Sequence, residues 1–127
     1  MYDIYYAHHQ WKYGTKVEQY ELDLIKRYFP SASVFNPSTD LKTSESDGEE
    51  NIMLECFEVI RNSDMLVFSS MDGVVGTGVY HEVREAQKLG KIVFYIFDNT
   101  LYSDFSITKF RKVDRTDRLY GRVCINL

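Results

Sequence analysis

Met65-Leu66-Val67-Phe68 is an unbroken apolar run, with no polar residue alternating into it. A strand read this way must be covered on both faces, and such strands belong to parallel sheets flanked by helices. Ile92-Val93-Phe94-Tyr95-Ile96-Phe97 is a second run of the same kind. Two shorter ones precede them, Ile4-Tyr5-Tyr6-Ala7 and Ser33-Val34-Phe35. Parallel neighbours cannot be joined by a tight turn, so each pair needs a crossover, usually a helix.

The intervening segments supply those helices. Thr15-Lys16-Val17-Glu18 has the form of a capping box, with Thr15 accepting from the Glu18 backbone and the Glu18 side chain reaching back. Val17, Tyr20, Leu24 and Tyr28 then recur at helical spacing, with Ile25 beside them, until Pro30 ends the helix. Ser46-Asp47-Gly48-Glu49 has the form of a second box. Ile52, Met53, Cys56, Phe57 and Ile60 form the stripe behind it, closed by Asn62-Ser63-Asp64. A third helix runs from about Val79 to Leu89, with Val79, Val83, Ala86 and Tyr80 turned inward and Gly90 beyond its end. The expected fold is α/β: a three-layer, Rossmann-like (flavodoxin-like) open sheet, mostly parallel, of about five strands with helices on both faces. Strands near 3–7, 33–36, 65–70 and 92–97 should be parallel neighbours, the first of them central. Val123-Cys124-Ile125 is a candidate fifth strand, and residues 101–120 show no clean period.

At 127 residues the chain has the length of one domain, 1–127, with 98–127 as a C-terminal extension. No apolar run approaches eighteen residues, and the N-terminus lacks the basic-then-apolar pattern of a signal peptide. Cys56 and Cys124 match no zinc or redox spacing and suit a reducing compartment, so a cytoplasmic protein is expected. The net charge of −4 disfavours nucleic acid as a partner. Residues 1–100 carry sixteen acidic and nine basic side chains, and residues 101–127 carry three and six. These halves attract each other within one chain or between subunits, or they are simply solvated faces. Ten tyrosines and eight phenylalanines exceed the needs of one small core. A homodimer or higher homo-oligomer is therefore expected.

In an open sheet of this kind a ligand sits at the C-terminal strand ends, where the strand order reverses. Tyr5, Tyr6 and His8 close the first strand, Asn36 the second, and Ser69 and Asp72 follow the third. Gly76-Thr77-Gly78 opens the third helix, where backbone N–H groups suit a phosphate or carboxylate; a tight turn that merely needs glycine explains the same residues. The segment is neither a dinucleotide fingerprint nor a Walker loop, and no nucleophile elbow surrounds Ser69 or Ser70. Glu82, in the first turns of that helix, is expected to be ionised by the helix field and able to attack an electrophilic carbon. Glutamate is also simply common there, and Glu85 is the next candidate, expected to face solvent. His8, His9 and His81 have no metal-ligand spacing, and Cys56 falls on an apolar stripe where a thiol is buried and inert. No metal or cofactor is expected.

Taken together, residues 2–97 resemble the nucleoside 2-deoxyribosyltransferase superfamily, which includes the nucleoside 5′-monophosphate N-glycosidases. The likeness rests on Ile4-Tyr5-Tyr6-Ala7, on Phe35-Asn36-Pro37, and on Ser63-Asp64-Met65-Leu66-Val67 at a strand start. Its strongest piece is Gly78-Val79-Tyr80-His81-Glu82-Val83-Arg84-Glu85-Ala86, followed by Gly90-Lys91-Ile92-Val93. The resemblance implies a five-stranded parallel sheet, a homo-oligomer, and a nucleoside or nucleotide as the small-molecule partner. It implies that Glu82 attacks the anomeric carbon to form a glycosyl-enzyme and that Tyr5 positions it. Tyr6, His8, Asn36, Ser69, Asp72, Gly76, Thr77 and Gly78 are then the candidate substrate-binding residues. Two aspartates usual in the family fall here on Gly76 and Cys56, with Asp72 and Glu55 as the carboxylates that would compensate. The expected function is cleavage or transfer of an N-glycosidic bond. A non-catalytic nucleotide-binding module of the same fold is the alternative. An interaction protein using the acidic loop 40–50 or the basic tail 109–122 is a third.

Overall fold

The computed structural model describes residues 1–114 of the chain. In chain order they form β1 (Asp3–Ala7), α1 (Lys16–Tyr28), β2 (Ser33–Phe35), α2 (Pro37–Asp40) and α3 (Glu49–Arg61). Then come β3 (Met65–Ser69), β4 (Val74–Gly76), α4 (Thr77–Lys88), β5 (Ile92–Phe97), β6 (Thr100–Tyr102) and β7 (Arg111–Val113). Five strands make one sheet in the order β2-β1-β3-β5-β6. The pairs β1–β2, β1–β3 and β3–β5 are parallel, and β5–β6 is antiparallel. This is the expected open, mostly parallel α/β sheet, and β1 lies between β2 and β3. The candidate strand at 123–125 lies outside the described residues; the fifth strand of the sheet is β6.

Side-chain alternation along the strands builds two cores. Tyr5, Ala7, Leu66 and Phe68 point to one face, where Cys56 and Ile60 of α3 and Val79, Val83 and Ala86 of α4 cover them. Ile4, Tyr6, Met65 and Val67 point to the other, against Leu24 and Ile25 of α1. All five residues of β3 are buried, which is why its sequence shows no alternation. Burying a side chain such as Phe68, which is fully covered, contributes roughly 1.5–3 kcal/mol.

Three local expectations are revised. The inward face of α1 is Glu18, Glu21, Leu24 and Ile25, while Tyr20 and Tyr28 are exposed. The apolar stripe is displaced because two glutamates have buried polar partners, which no hydrophobicity pattern registers. Thr15 does cap α1, accepting from Glu18 N–H at 3.2 Å, but the Glu18 carboxylate reaches Gly14 N–H and His8 instead of Thr15. Ahead of α3, the reciprocal cap pairs Ser44 with Asp47 around a short 3-10 turn at Glu45–Asp47. Gly48 leads into α3 at φ +93°, a backbone angle that suits glycine.

The glycine-rich segment after β3 folds back on itself at Asp72-Gly73, and β4 then pairs in parallel with β7 as a separate two-stranded sheet. Residues 98–102, the start of the segment read as a C-terminal extension, complete the β5–β6 hairpin through Asp98 and Asn99, both at positive φ. No described helix is long and apolar enough to cross a membrane.

Candidate active site

Parallel strands bring the C-terminal ends of β1 and β3 side by side, and the chain order reverses between them: β1 is followed by β2 on one side and β3 on the other. Such a reversal opens a crevice beyond the strand ends. A cavity of about 470 Å³ lies there. The segment after β1 contributes His8, His9, Gln10 and Tyr13; α3 contributes Ile52, Met53 and Cys56; the start of α4 contributes Gly76–Val79 and Glu82.

Glu82 is buried at the centre of this wall. The Tyr5 hydroxyl, projecting from β1, donates a hydrogen bond to Glu82 Oε2. The two side chains meet because Tyr5 belongs to the sheet face that α4 covers and because Glu82 lies one position before the fully buried Val83. Burial pushes the Glu82 carboxyl up to about 7, and the Tyr5 hydroxyl and the Cys56 thiol, both hydrogen-bonded to it, hold it from rising further. The helix field alone would keep this group ionised; desolvation outweighs it, and near neutral pH both protonation states are populated. Burial, then the adjacent Glu82 charge, drives the Tyr5 hydroxyl well above its ordinary range, so it stays a donor. The same two causes push the Cys56 thiol up to about 12. Cys56 is therefore a protonated neighbour of the carboxylate and not a nucleophile.

Of the expected site residues, Tyr5, Glu82, His8, Gly76, Thr77 and Gly78 meet around this cavity. His8 borders it with its side chain fully buried and both ring nitrogens engaged: Nε2 lies 2.7 Å from Glu18 and Nδ1 3.2 Å from the Tyr6 carbonyl. Tyr6 and Ser69 lie on the α1 face. The Tyr6 hydroxyl and the Ser69 hydroxyl both donate to Glu21 Oε1, at 2.5 and 2.7 Å, and the Lys12 ammonium joins Glu21, Ser69 and the Ser70 carbonyl at 2.8–3.0 Å. Asn36 caps α2 by accepting from Ser38 N–H at 3.0 Å, and Asp72 sits exposed in the turn before β4 at φ +55°. Neither lines the cavity. Glu55, a candidate for compensation, accepts from Lys42 and Thr43 N–H at 2.8 and 2.7 Å in a larger acidic groove between β2 and α3. Glu85 is half-buried and outside the cavity wall.

The wall also holds residues beyond the expected set, His9, Tyr13 and Cys56 among them, together with Gln10, Glu49, Ile52, Met53, Val79 and Asp114. Strand parity is the signal that finds His9. Tyr5, Ala7 and His9 share one side of the extended chain, as Tyr6 and His8 share the other. His9 caps the 3-10 turn Gln10–Lys12, its Nδ1 accepting from Trp11 N–H at 3.1 Å. Its ring lies directly against Gly76, where a Cβ would stand 2.4 Å from His9 Cδ2. Glycine at 76 thus answers to contact, since its φ of −65° is open to any residue. Among the described residues, no three His, Cys, Asp or Glu side chains group to hold a metal ion.

Comparison with protein-family models gives no match, and comparison with curated proteins gives none either.

Proposed function

We propose that the protein cleaves or transfers the N-glycosidic bond of a nucleoside or nucleoside 5′-monophosphate, with Glu82 as the nucleophile. The observation that carries this reading is the Tyr5–Glu82 hydrogen bond in the wall of a nucleoside-sized cavity. A carboxylate aimed from buried surroundings opposes the positive charge of an oxocarbenium-like transition state more strongly than it would in water. Tyr5 fixes which oxygen faces the sugar. Tyr13, at the mouth, presents a ring on which a base can stack. The resemblance to the deoxyribosyltransferase superfamily supports the same roles for Glu82 and Tyr5. Incubating the protein with nucleosides and their 5′-monophosphates, with free base followed by chromatography, tests the reading. Release of base from one class is expected, and no release from any member would overturn it.

A second reading is a non-catalytic nucleotide-binding module. It is favoured by the Glu82 carboxyl pushed up to about 7, which leaves much of it uncharged near neutrality, and by the non-acidic Cys56 and Gly76. Binding of nucleotide without release of base would select it. Under either reading we take the protein to be a homo-oligomer, which the exposed apolar side chains Leu54, Ile92, Phe97 and Tyr102 support.

A further inference from the structure

Tyr13 is held in place by everything except its hydroxyl. It follows the 3-10 turn Gln10–Lys12 and donates its N–H to the Gln10 carbonyl at 3.0 Å. The residues on either side of it are tied to the protein. The Lys12 ammonium reaches Glu21, Ser69 and the Ser70 carbonyl, and Gly14 N–H donates to Glu18 Oε1 at 3.1 Å. The Tyr13 ring rests on His8, with 5.0 Å between centroids and a tilt of 58°. His8 is itself bonded to Glu18 and stacked on Tyr6. Backbone and ring are thus ordered before any ligand arrives, which lowers the cost of binding one.

The hydroxyl takes no part in this anchoring. Among the described residues it has no hydrogen-bond partner, whereas every described buried polar side-chain atom has one. It therefore stands open in the cavity that Tyr13 lines. It also lies within the field of the nucleophile: burial first, then the charges of Glu82, Cys56 and Glu18, push it above its ordinary range. It stays protonated through neutral pH and can both donate and accept. The other tyrosine beside Glu82 is already committed, since the Tyr5 hydroxyl donates to the carboxylate.

Attack by Glu82 requires C1′ to sit against the carboxylate. A base stacked on the Tyr13 ring lies parallel to it, and the hydroxyl, in the ring plane and on the Glu82 side, then overhangs the sugar end of the base. C1′ carries no hydroxyl, and the nearest one on a ribose is on C2′.

We infer that Tyr13 is a specificity-determining residue of this site, its hydroxyl pairing with the 2′-hydroxyl of a ribose and so making ribonucleosides its substrates. The inference rests on the glycosidic reading above and deepens it by naming the sugar. Each of the two hydroxyls is both donor and acceptor, so the bond forms whichever supplies the proton.

The test deletes one hydroxyl at a time from each side of that bond. Ribonucleosides and 2′-deoxynucleosides of the same base, one pair for each common base, are offered to the wild-type protein and to Tyr13→Phe, which keeps the ring and loses only the hydroxyl. Tyr13→Phe should lower kcat/KM for base release about tenfold more on the ribonucleoside than on its 2′-deoxy counterpart, the factor that one net hydrogen bond is worth. Tyr13→Leu removes the stacking face as well; it should lower both members of a pair and shift their ratio by the same factor. Circular dichroism and the melting temperature confirm that both variants fold. An unshifted ratio, undiminished release from ribonucleosides in Tyr13→Phe, or wild-type release from 2′-deoxynucleosides alone would overturn the role of Tyr13 while leaving that of Glu82 intact. No base release by the wild-type protein from any member of the set would overturn the glycosidic reading and this inference with it.

Discussion

The Tyr5 hydroxyl donates to the Glu82 carboxylate in a hydrogen bond that spans 77 residues of sequence. It can do so only because β1 is an interior strand, because residue 5 faces the α4 side of the sheet, and because Glu82 is buried by α4 packing. The contact is thus a readout of the whole topology, and a change at either residue reports on the site without touching the rest of the sheet.

Glu82→Gln should abolish base release while leaving the fold intact. The amide nearly matches the carboxylate in volume, but it is a poor nucleophile and carries no charge. Loss of a covalent nucleophile should raise the barrier by about 4–8 kcal/mol, several powers of ten in rate. Tyr5→Phe should cost roughly ten- to a thousandfold, because one orienting hydrogen bond is lost and the nucleophile remains. Glu85→Gln should be nearly silent. Steady-state release of base by the three variants decides this, and wild-type turnover in Glu82→Gln would end the glycosyl-enzyme mechanism.

The raised Glu82 carboxyl makes activity and stability respond to pH in opposite directions. The nucleophile is the ionised form, so kcat/KM should climb as pH rises through about 7. Removing the Tyr5 donor should move that limb to higher pH, since the hydrogen bond favours the charged form. The folded value of about 7 lies above the ordinary 4.5, so the native state binds more protons between them and stability falls as pH rises through that window. Glu82→Gln removes this penalty and should stabilise the protein at pH 8, by up to about 3 kcal/mol, while mattering little at pH 4. Urea titrations at the two pH values measure the difference.

Much of the frame is legible in the chain because apolar runs and helical stripes are direct consequences of burial. The run at 65–68 reads only as a doubly covered strand, and Glu82 is located by its place on α4. What escapes is of three physical kinds. Buried polar networks leave no hydrophobic pattern, so the inward Glu18 and Glu21 displace the expected stripe of α1. Three-residue strands such as β4 and β7 are too short to show a period. Strand parity is a third signal, one that a search for apolar runs passes over: Tyr6 and His8 alternate with Tyr5 and His9, so Tyr6 belongs to the α1 side and His9 to the side of Glu82. Asp98-Asn99 is also a readable hairpin signal, since these residue types tolerate positive φ.

Self-association should be detectable at micromolar concentration. Leu54 on α3 is 60% exposed, and Ile92, Phe97 and Tyr102 leave apolar surface along β5 and β6. Light scattering should return at least twice the 14.9 kDa chain mass. Leu54→Glu and Phe97→Glu report which surface is used, because a charge placed in the contact should shift the equilibrium toward monomer. A monomeric wild-type mass would refute the oligomer.

Lys12 holds the α1 face of the sheet together at its C-terminal end. Its ammonium is 3.0 Å from Glu21 Oε2 and 2.8 Å from Ser69 Oγ, and both charged side chains are almost wholly buried. Burial lowers the tendency of Lys12 to carry its proton, and the Glu21 charge partly restores it. Every described buried polar side-chain atom has a hydrogen-bond partner, so removing one member strands the others. Lys12→Met should destabilise the fold by about 3–5 kcal/mol, because it leaves the Glu21 carboxylate in a low-dielectric site with only the Tyr6 and Ser69 hydroxyls. The double variant Lys12→Met/Glu21→Gln removes both charges together and should lose distinctly less than the sum of the single losses. Denaturant unfolding of the four proteins yields the coupling directly, and additive losses would mean that the two charges do not depend on each other.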